Sequence, residues 1–268
     1  MPAIDTVAFF ATEGAAADFP TALAAAPGDS LSIRNFVSGQ TASLNALIYS
    51  AGGGERVRVV SPNMHDNQTG LTFEPAEVPA HFLIPQNGSV NVVANDTLSV
   101  YGGIAAAGTI AGAMQVYYSK LPGIDARLHM WGDIAGNVRY YKTVEVDLAA
   151  IAVGAWTNTL ITTTENQLHA NKDYAVLGYE VSAAIDVVGV MGSATGNLRV
   201  CGPGATSTID TSEYFVYMSE KQNTPYIPVF NSDDRFAFYV SAFNHAAVAD
   251  AADHVYLVLA ELINPVTP

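Results

Sequence analysis

HVYLVLAEL (His254–Leu262) carries Val255, Leu257 and Leu259 on one side of an extended chain, with Tyr256 and Val258 on the other. A period of two is the signature of a β-strand packed on one or both faces, because successive side chains point to opposite sides. The same alternation recurs upstream. In ERVRVV (55–60) charged Glu55, Arg56 and Arg58 interleave with Val57 and Val59. In RFAFYVSAF (235–243) Phe236 and Phe238 share one face and Tyr239 takes the other, a pattern that suits a strand covered on both sides.

Working outward from these runs, strands are expected at 30–36, 42–49, 55–61, 80–84, 89–93, 97–101 and 115–119. A second series follows at 138–141, 143–148, 157–163, 174–183, 186–191, 198–201, 214–218, 226–230, 235–243 and 254–263. Turn residues punctuate them. Asn87-Gly88 is a type I′ hairpin signal, since both central residues need positive φ. Gly52-Gly53-Gly54, the segment 192–196 (GSATG) and Gly202-Pro203-Gly204 join neighbouring runs in the same manner. Helical signals are few: an Ala-rich stretch at 12–26 broken by Pro20, TENQLHA at 164–170 and AAVADAA at 246–252. Without β–α–β alternation, a doubly wound or TIM fold is not expected, and an all-β sandwich or barrel is.

The strands exceed one ordinary sandwich of about seven to nine, and the Gly-rich segment 121–137 (LPGIDARLHMWGDIAGN) separates two clusters of similar size. Charge divides evenly about that segment: five basic and eleven acidic residues before Asn137, six and fourteen after it. The expected organisation is an N-terminal segment with a short helix at 1–28, a first sandwich at 29–130 and a second at 131–268, packed side by side with no polar linker.

Composition bounds the function. Half of the 268 residues are hydrophobic and 13% are charged, which excludes disorder. The formal net charge of −14 argues against direct binding of a nucleic-acid backbone. A single cysteine, Cys201, forbids an internal disulfide or a cysteine metal cluster and reads as a small buried residue on a strand. The N-terminal residues lack a basic region and read as no secretory signal. Residues 97–119 carry no charge but are too rich in Gly and polar residues for a spanning helix. A soluble protein is expected.

No GxGxxG after a strand, P-loop, GxSxG or HExxH is found. The weak metal candidates are Asp233 and Asp234, where adjacent carboxylates in Asn231-Ser232-Asp233-Asp234-Arg235 could share a calcium ion with backbone oxygens. Asp250 and Asp253, flanked by His245 and His254, offer the mixed N/O set that suits zinc or manganese. The competing readings are an Asx turn at 231–233 and a solvated acidic loop at 245–254. HDNQTG (65–70) has the same ambiguity. Glu74 with Glu77, or Glu145 with Asp147, are spaced for a glycosidase carboxylate pair but carry no mark of burial. Asn67, Asn87 and Asn95 head N-x-Ser/Thr sequons. Aromatic residues concentrate in the second half, where a lectin would use them as sugar platforms and a sandwich would bury them between sheets.

The strand count, the midpoint break at 121–137, the helical signal near 15–25 and the closing strand HVYLVLAELI together resemble the double jelly-roll major capsid proteins of tailless icosahedral bacteriophages and of the adenovirus lineage. LHANKDYAVLGYEVSA, NLRVCGPG and YIPVFNSDDRFAFYVSA resemble phage structural proteins as well. The resemblance implies two eight-stranded jelly rolls and homotrimers of pseudo-hexagonal outline that tile an icosahedral shell. It also implies contacts with neighbouring capsomers and with minor capsid or vertex proteins, and an internal lipid membrane beneath the shell. It further implies residence in the virion after assembly in the host cytoplasm, with no catalytic residue and no cofactor. The alternative is a secreted or surface β-sandwich carbohydrate-binding module, calcium-assisted through Asp233 and Asp234. A polysaccharide hydrolase on the same scaffold is a third reading.

Overall fold

The computed structural model describes residues 3–13, 33–35, 42–50, 56–60, 71–73, 81–83, 90–92, 97–103, 108–118, 127–161, 168–181, 185–191, 199–204, 210–233, 238–244 and 254–266. Among them the chain is all-β, with antiparallel sheets and two short α-helices. The expected helices at 164–170 and 246–252, and the Ala-rich stretch beyond Glu13, lie largely or wholly outside the described residues. No helix among the described residues is long and apolar enough to cross a membrane.

In the first half the strands are β1 (Ala3–Glu13), β2 (Ile33–Asn35), β3 (Ala42–Ser50), β4 (Arg56–Val60), β5 (Leu71–Phe73), β6 (His81–Leu83), β7 (Val90–Val92), β8 (Thr97–Gly103) and β9 (Gly108–Tyr118). They form one sheet in the order β1-β9-β3-β6, with β7 also on β3, and another in the order β2-β8-β4-β5. The second half contains β10 (Leu128–His129), α1 (Trp131–Ile134), β11 (Val138–Asp147), β12 (Ala155–Leu160), β13 (Asp173–Val181), β14 (Val187–Met191), β15 (Val200–Pro203), α2 (Tyr214–Gln222), β16 (Ile227–Asn231), β17 (Tyr239–Asn244) and β18 (His254–Leu262). Its sheets run β10-β16-β13-β18-β11 and β12-β17-β14-β15. Sheet for sheet, β11, β18, β13 and β16 repeat the order of β1, β9, β3 and β6, and β12, β17, β14 and β15 repeat that of β2, β8, β4 and β5.

β18 shows why the strands form. Val255, Leu257 and Leu259 are fully buried, while His254, Tyr256 and Val258 stay partly exposed. From Ala260 to Leu262 the alternation ends because both faces are covered. Neighbouring β11 mirrors it: Val144 and Val146 face the core, and Thr143, Glu145 and Asp147 face water. β11 is one strand where the sequence suggests two, with an irregular register between Val138 and Tyr140.

β5, β10 and α1 fall where the sequence suggests neither strand nor helix, and two further elements depart from the expectation. Residues 214–218, read as a strand, open helix α2. Tyr214, Phe215, Met218, Ser219 and Gln222 are buried along one side of it, the i, i+4 spacing of a helix face rather than alternation. Asn223 ends the helix in the left-handed conformation (φ 49°), and its N–H is bonded back to the helix carbonyls of Glu220 and Ser219. The ring of Phe215 packs 5.7 Å from that of Tyr179 on β13 and 6.3 Å from that of Tyr226. Tertiary packing of this kind overrides the strand preference of aromatic residues. The second departure is β1, in a stretch where the sequence suggests no strand. It pairs along its whole length with β9, from Ala3 opposite Tyr118 to Glu13 opposite Gly108.

The two halves share a packed seam. Ile4 of β1 belongs to the second half's buried cluster, and Ala113 of β9 packs with Val187, Cys201 and Phe243. The strand that meets β1, β3 and β9 across the seam is β15.

Candidate functional site

Three polar groupings stand out among the described residues. The first is buried in the seam. Thr6 on β1 and Gln115 on β9 are directly opposite one another and wholly inaccessible to solvent. Thr6 Oγ1 donates to the Arg199 carbonyl at 2.7 Å. Gln115 Nε2 donates to the Cys201 carbonyl at 2.8 Å, and its Oε1 accepts from the Cys201 N–H at 3.2 Å and from Tyr226 Oη at 2.8 Å. A side-chain amide thus pairs with both backbone groups of Cys201 as a further strand would. Cys201 itself is fully buried, and desolvation pushes its thiol up to about 12. It is an inert packing residue at physiological pH. Beside it the Arg199 guanidinium lies 4.4 Å over the Trp156 ring and donates to Ser241 Oγ at 3.2 Å. Burial lowers its pKa.

The second grouping centres on Glu261, whose side chain is inaccessible. Its Oε2 accepts from Tyr140 Oη at 2.7 Å and Tyr174 Oη at 2.9 Å, and lies 2.8 Å from His169 Nδ1. Arg139 Nη1 donates to Oε1 at 3.3 Å. Tyr140 Oη also touches His169 Nδ1. Burial alone would raise the Glu261 pKa, but the donors from Tyr140, His169 and Tyr174 outweigh it and hold the carboxyl below its ordinary value. Desolvation and the same carboxylate raise the Tyr174 phenol. Both carboxylate oxygens are engaged, Oε2 by three groups and Oε1 by Arg139, so the arrangement clamps three strands and the loop at His169. Sequence reading missed it. The available signal was a lone charge, Glu261, at the end of an otherwise apolar strand.

The third grouping is at the surface. Asp147 pairs with His254 across β11 and β18. His254 Nδ1 lies 2.6 Å from Asp147 Oδ1 and 3.2 Å from Glu145 Oε1. The three residues' ligand atoms all lie within 4.8 Å of one another, the one such convergence of His, Cys, Asp and Glu among the described residues. A divalent cation would find one imidazole and two carboxylates here. The Glu145 and Asp147 side chains are 54% and 80% exposed, so they face water rather than a closed cleft.

The metal candidates read from the sequence fall differently. Asp233 closes an Asx turn: its N–H donates to Asn231 Oδ1 at 3.0 Å. The turn is tied to the start of β13 and the loop before it: Asn231 Nδ2 donates to Asp173 Oδ1 at 2.7 Å and Ser232 Oγ to the His169 carbonyl at 2.6 Å. Asp234, Asp250, Asp253 and His245 lie outside the described residues, as do Glu74, Glu77, residues 65–70 and the three sequon asparagines. The carboxylates described against His254 are Glu145 and Asp147 of β11, not the acidic residues that precede it in the sequence.

No family model and no curated protein matches this chain. Among solved structures, recombinant N-glycanase F (PNGase F) aligns over 98% of this chain and 97% of its own, at 11% identity and a TM-score of 0.19. That score is too low to support any inference about fold or function.

Proposed function

We propose that this chain is a structural virion protein, a double jelly-roll major capsid subunit that assembles into trimers and tiles an icosahedral shell. The observation that carries the reading is the repeat of one strand order in both halves. β1-β9-β3-β6 with β2-β8-β4-β5 is followed by β11-β18-β13-β16 with β12-β17-β14-β15. With β7 and β10 set aside as the fifth strands of their sheets, an order that puts the first, last, third and sixth of eight strands in one sheet supports the jelly-roll reading, an architecture used by viral capsids and by lectins. The recurrence of that order in the second half favours the capsid reading. So does a chain of which only 13% is charged, because the cores of protein interfaces are depleted of charge. Fold does not fix function, so the reading is tested by behaviour. Sedimentation of the purified full chain is expected to show a trimer and larger assemblies. A chain that stays monomeric at high concentration and gives signal on a glycan array would replace this reading with the carbohydrate-binding module.

A further inference from the structure

We infer that Tyr140, Tyr174, His169 and Glu261 form a binding site for a hard trivalent cation, ferric iron above all, held by two phenolates, one imidazole and one carboxylate. The site does not depend on the proposed assembly of copies.

Three of the four residues share one rung of a sheet. Tyr140 of β11 and Tyr174 of β13 both pair with Glu261 of β18, one from each side. His169 reaches the rung from the loop before β13. Around Glu261 Oε2 stand Tyr140 Oη at 2.7 Å, His169 Nδ1 at 2.8 Å and Tyr174 Oη at 2.9 Å. Tyr140 Oη also touches His169 Nδ1, which makes four contacts. With the carboxyl ionised, at most three protons serve them, one on each phenol and one on the imidazole nitrogen. One contact is therefore left without a proton of its own. A cation among the four atoms removes that shortfall, because it attracts all of them at once. The spacing suits an ion as well: octahedral coordination with bonds of about 2.0 Å sets neighbouring ligand atoms about 2.8 Å apart. The Glu261 side chain is inaccessible and that of His169 is 64% exposed, so the ion has an entry path on the His169 side.

Charge and donor type select the ion. One carboxylate and two phenolates carry three negative charges, which a trivalent cation balances. Anionic oxygen suits hard cations, imidazole suits iron, and tyrosine oxygen is a ligand that proteins use for iron. A proton leaves each phenol as the ion enters, and the ion's own charge reverses the effect of burial on those phenols. Two further contacts prepare the site. The His169 backbone N–H donates to Tyr174 Oη at 2.9 Å, which favours the phenolate. Arg139 Nη1 holds Glu261 Oε1 at 3.3 Å and leaves Oε2 to face the ion. The surface group of Glu145, Asp147 and His254, further along β11 and β18, offers an imidazole and two carboxylates but no phenol in its ligand set. Iron bound there would lack the phenolate signature.

The test is a titration of the metal-free full chain with ferric nitrilotriacetate at neutral pH. A visible phenolate-to-iron charge-transfer band is expected to grow and to saturate at one ion per chain, and the melting temperature is expected to rise with added iron. Tyr140→Phe and Tyr174→Phe should each weaken binding at least tenfold and shift the band, and the double variant should lose the band. Tyr140 is partly exposed, so its variant keeps the test decisive should Tyr174→Phe fail to fold; circular dichroism of the metal-free variants checks this. Tyr141→Phe, at the exposed neighbouring position, and His254→Ala, in the surface group, should leave the band unchanged. A folded wild-type chain that gains no band would overturn the site. So would a band that survives the double variant or disappears in His254→Ala.

Discussion

Replacing Gln115 by leucine removes the amide that joins the halves while keeping the side chain's approximate volume. Three hydrogen bonds disappear, and the Cys201 N–H, the Cys201 carbonyl and the Tyr226 hydroxyl lose their described side-chain partner in a region that water does not reach. An unsatisfied buried group costs about 1–3 kcal/mol. Three of them, with partial relaxation, give a loss of about 3–6 kcal/mol, a large share of the ~5–15 kcal/mol that holds a domain folded. The melting temperature should fall by on the order of 10 °C. Urea titration followed by tryptophan fluorescence measures the free energy. A second readout is local: a weakened seam should make the Cys201 thiol accessible to a thiol reagent well before global unfolding, whereas the native protein should not react. A loss below about 1 kcal/mol with Cys201 still protected would show that the amide does not hold the seam, leaving the Thr6 hydrogen bond and apolar packing to join the two halves.

Other consequences follow from the polar groups and the glycines. Glu261→Gln should destabilise the protein by about 1–3 kcal/mol, since hydrogen bonds to a charged group become neutral ones and one amide hydrogen faces a donor. Because the carboxyl of Glu261 titrates below its ordinary value of 4.5, its contribution is complete above that value and is lost as the pH falls towards the folded-state pKa. The acid slope of stability should therefore be shallower in Glu261→Gln than in the wild type, and equal slopes would refute the assignment. Gly204→Ala should cost about 3 kcal/mol or more, because a Cβ there would overlap the Ile185 carbonyl oxygen; normal melting would contradict the geometry. His254→Ala, by contrast, removes a surface pairing with exposed Asp147 and Glu145 and should shift the melting temperature by no more than a degree or two.

Much of the architecture was legible because alternation reports burial directly. Val255, Leu257 and Leu259 are buried as their spacing in HVYLVLAEL requires, and Cys201 is the buried strand residue its apolar neighbours suggest. What escaped has physical causes. The segment at 214–218 is rich in β-formers, yet it is helical because Tyr214, Phe215 and Met218 bury one face; the legible signals were the good helix formers that follow in SEKQ and Asn223 at the end. β1 was hidden because its outer face carries Ile4 and Thr6, a mixed pair that makes sense only against the second half. The polar contacts of Gln115 and Glu261 join residues 86 or more positions apart for Gln115 and as many as 122 for Glu261, so a sequence shows the lone polar residue but not its partners. His254 shows the same limit: its described carboxylate partners come from β11.

The most direct measurement is electron microscopy of the purified full-length chain at a resolution that separates individual sandwiches. The account predicts closed rings of three chains showing six similar lobes. Isolated two-lobed particles at every concentration would contradict it.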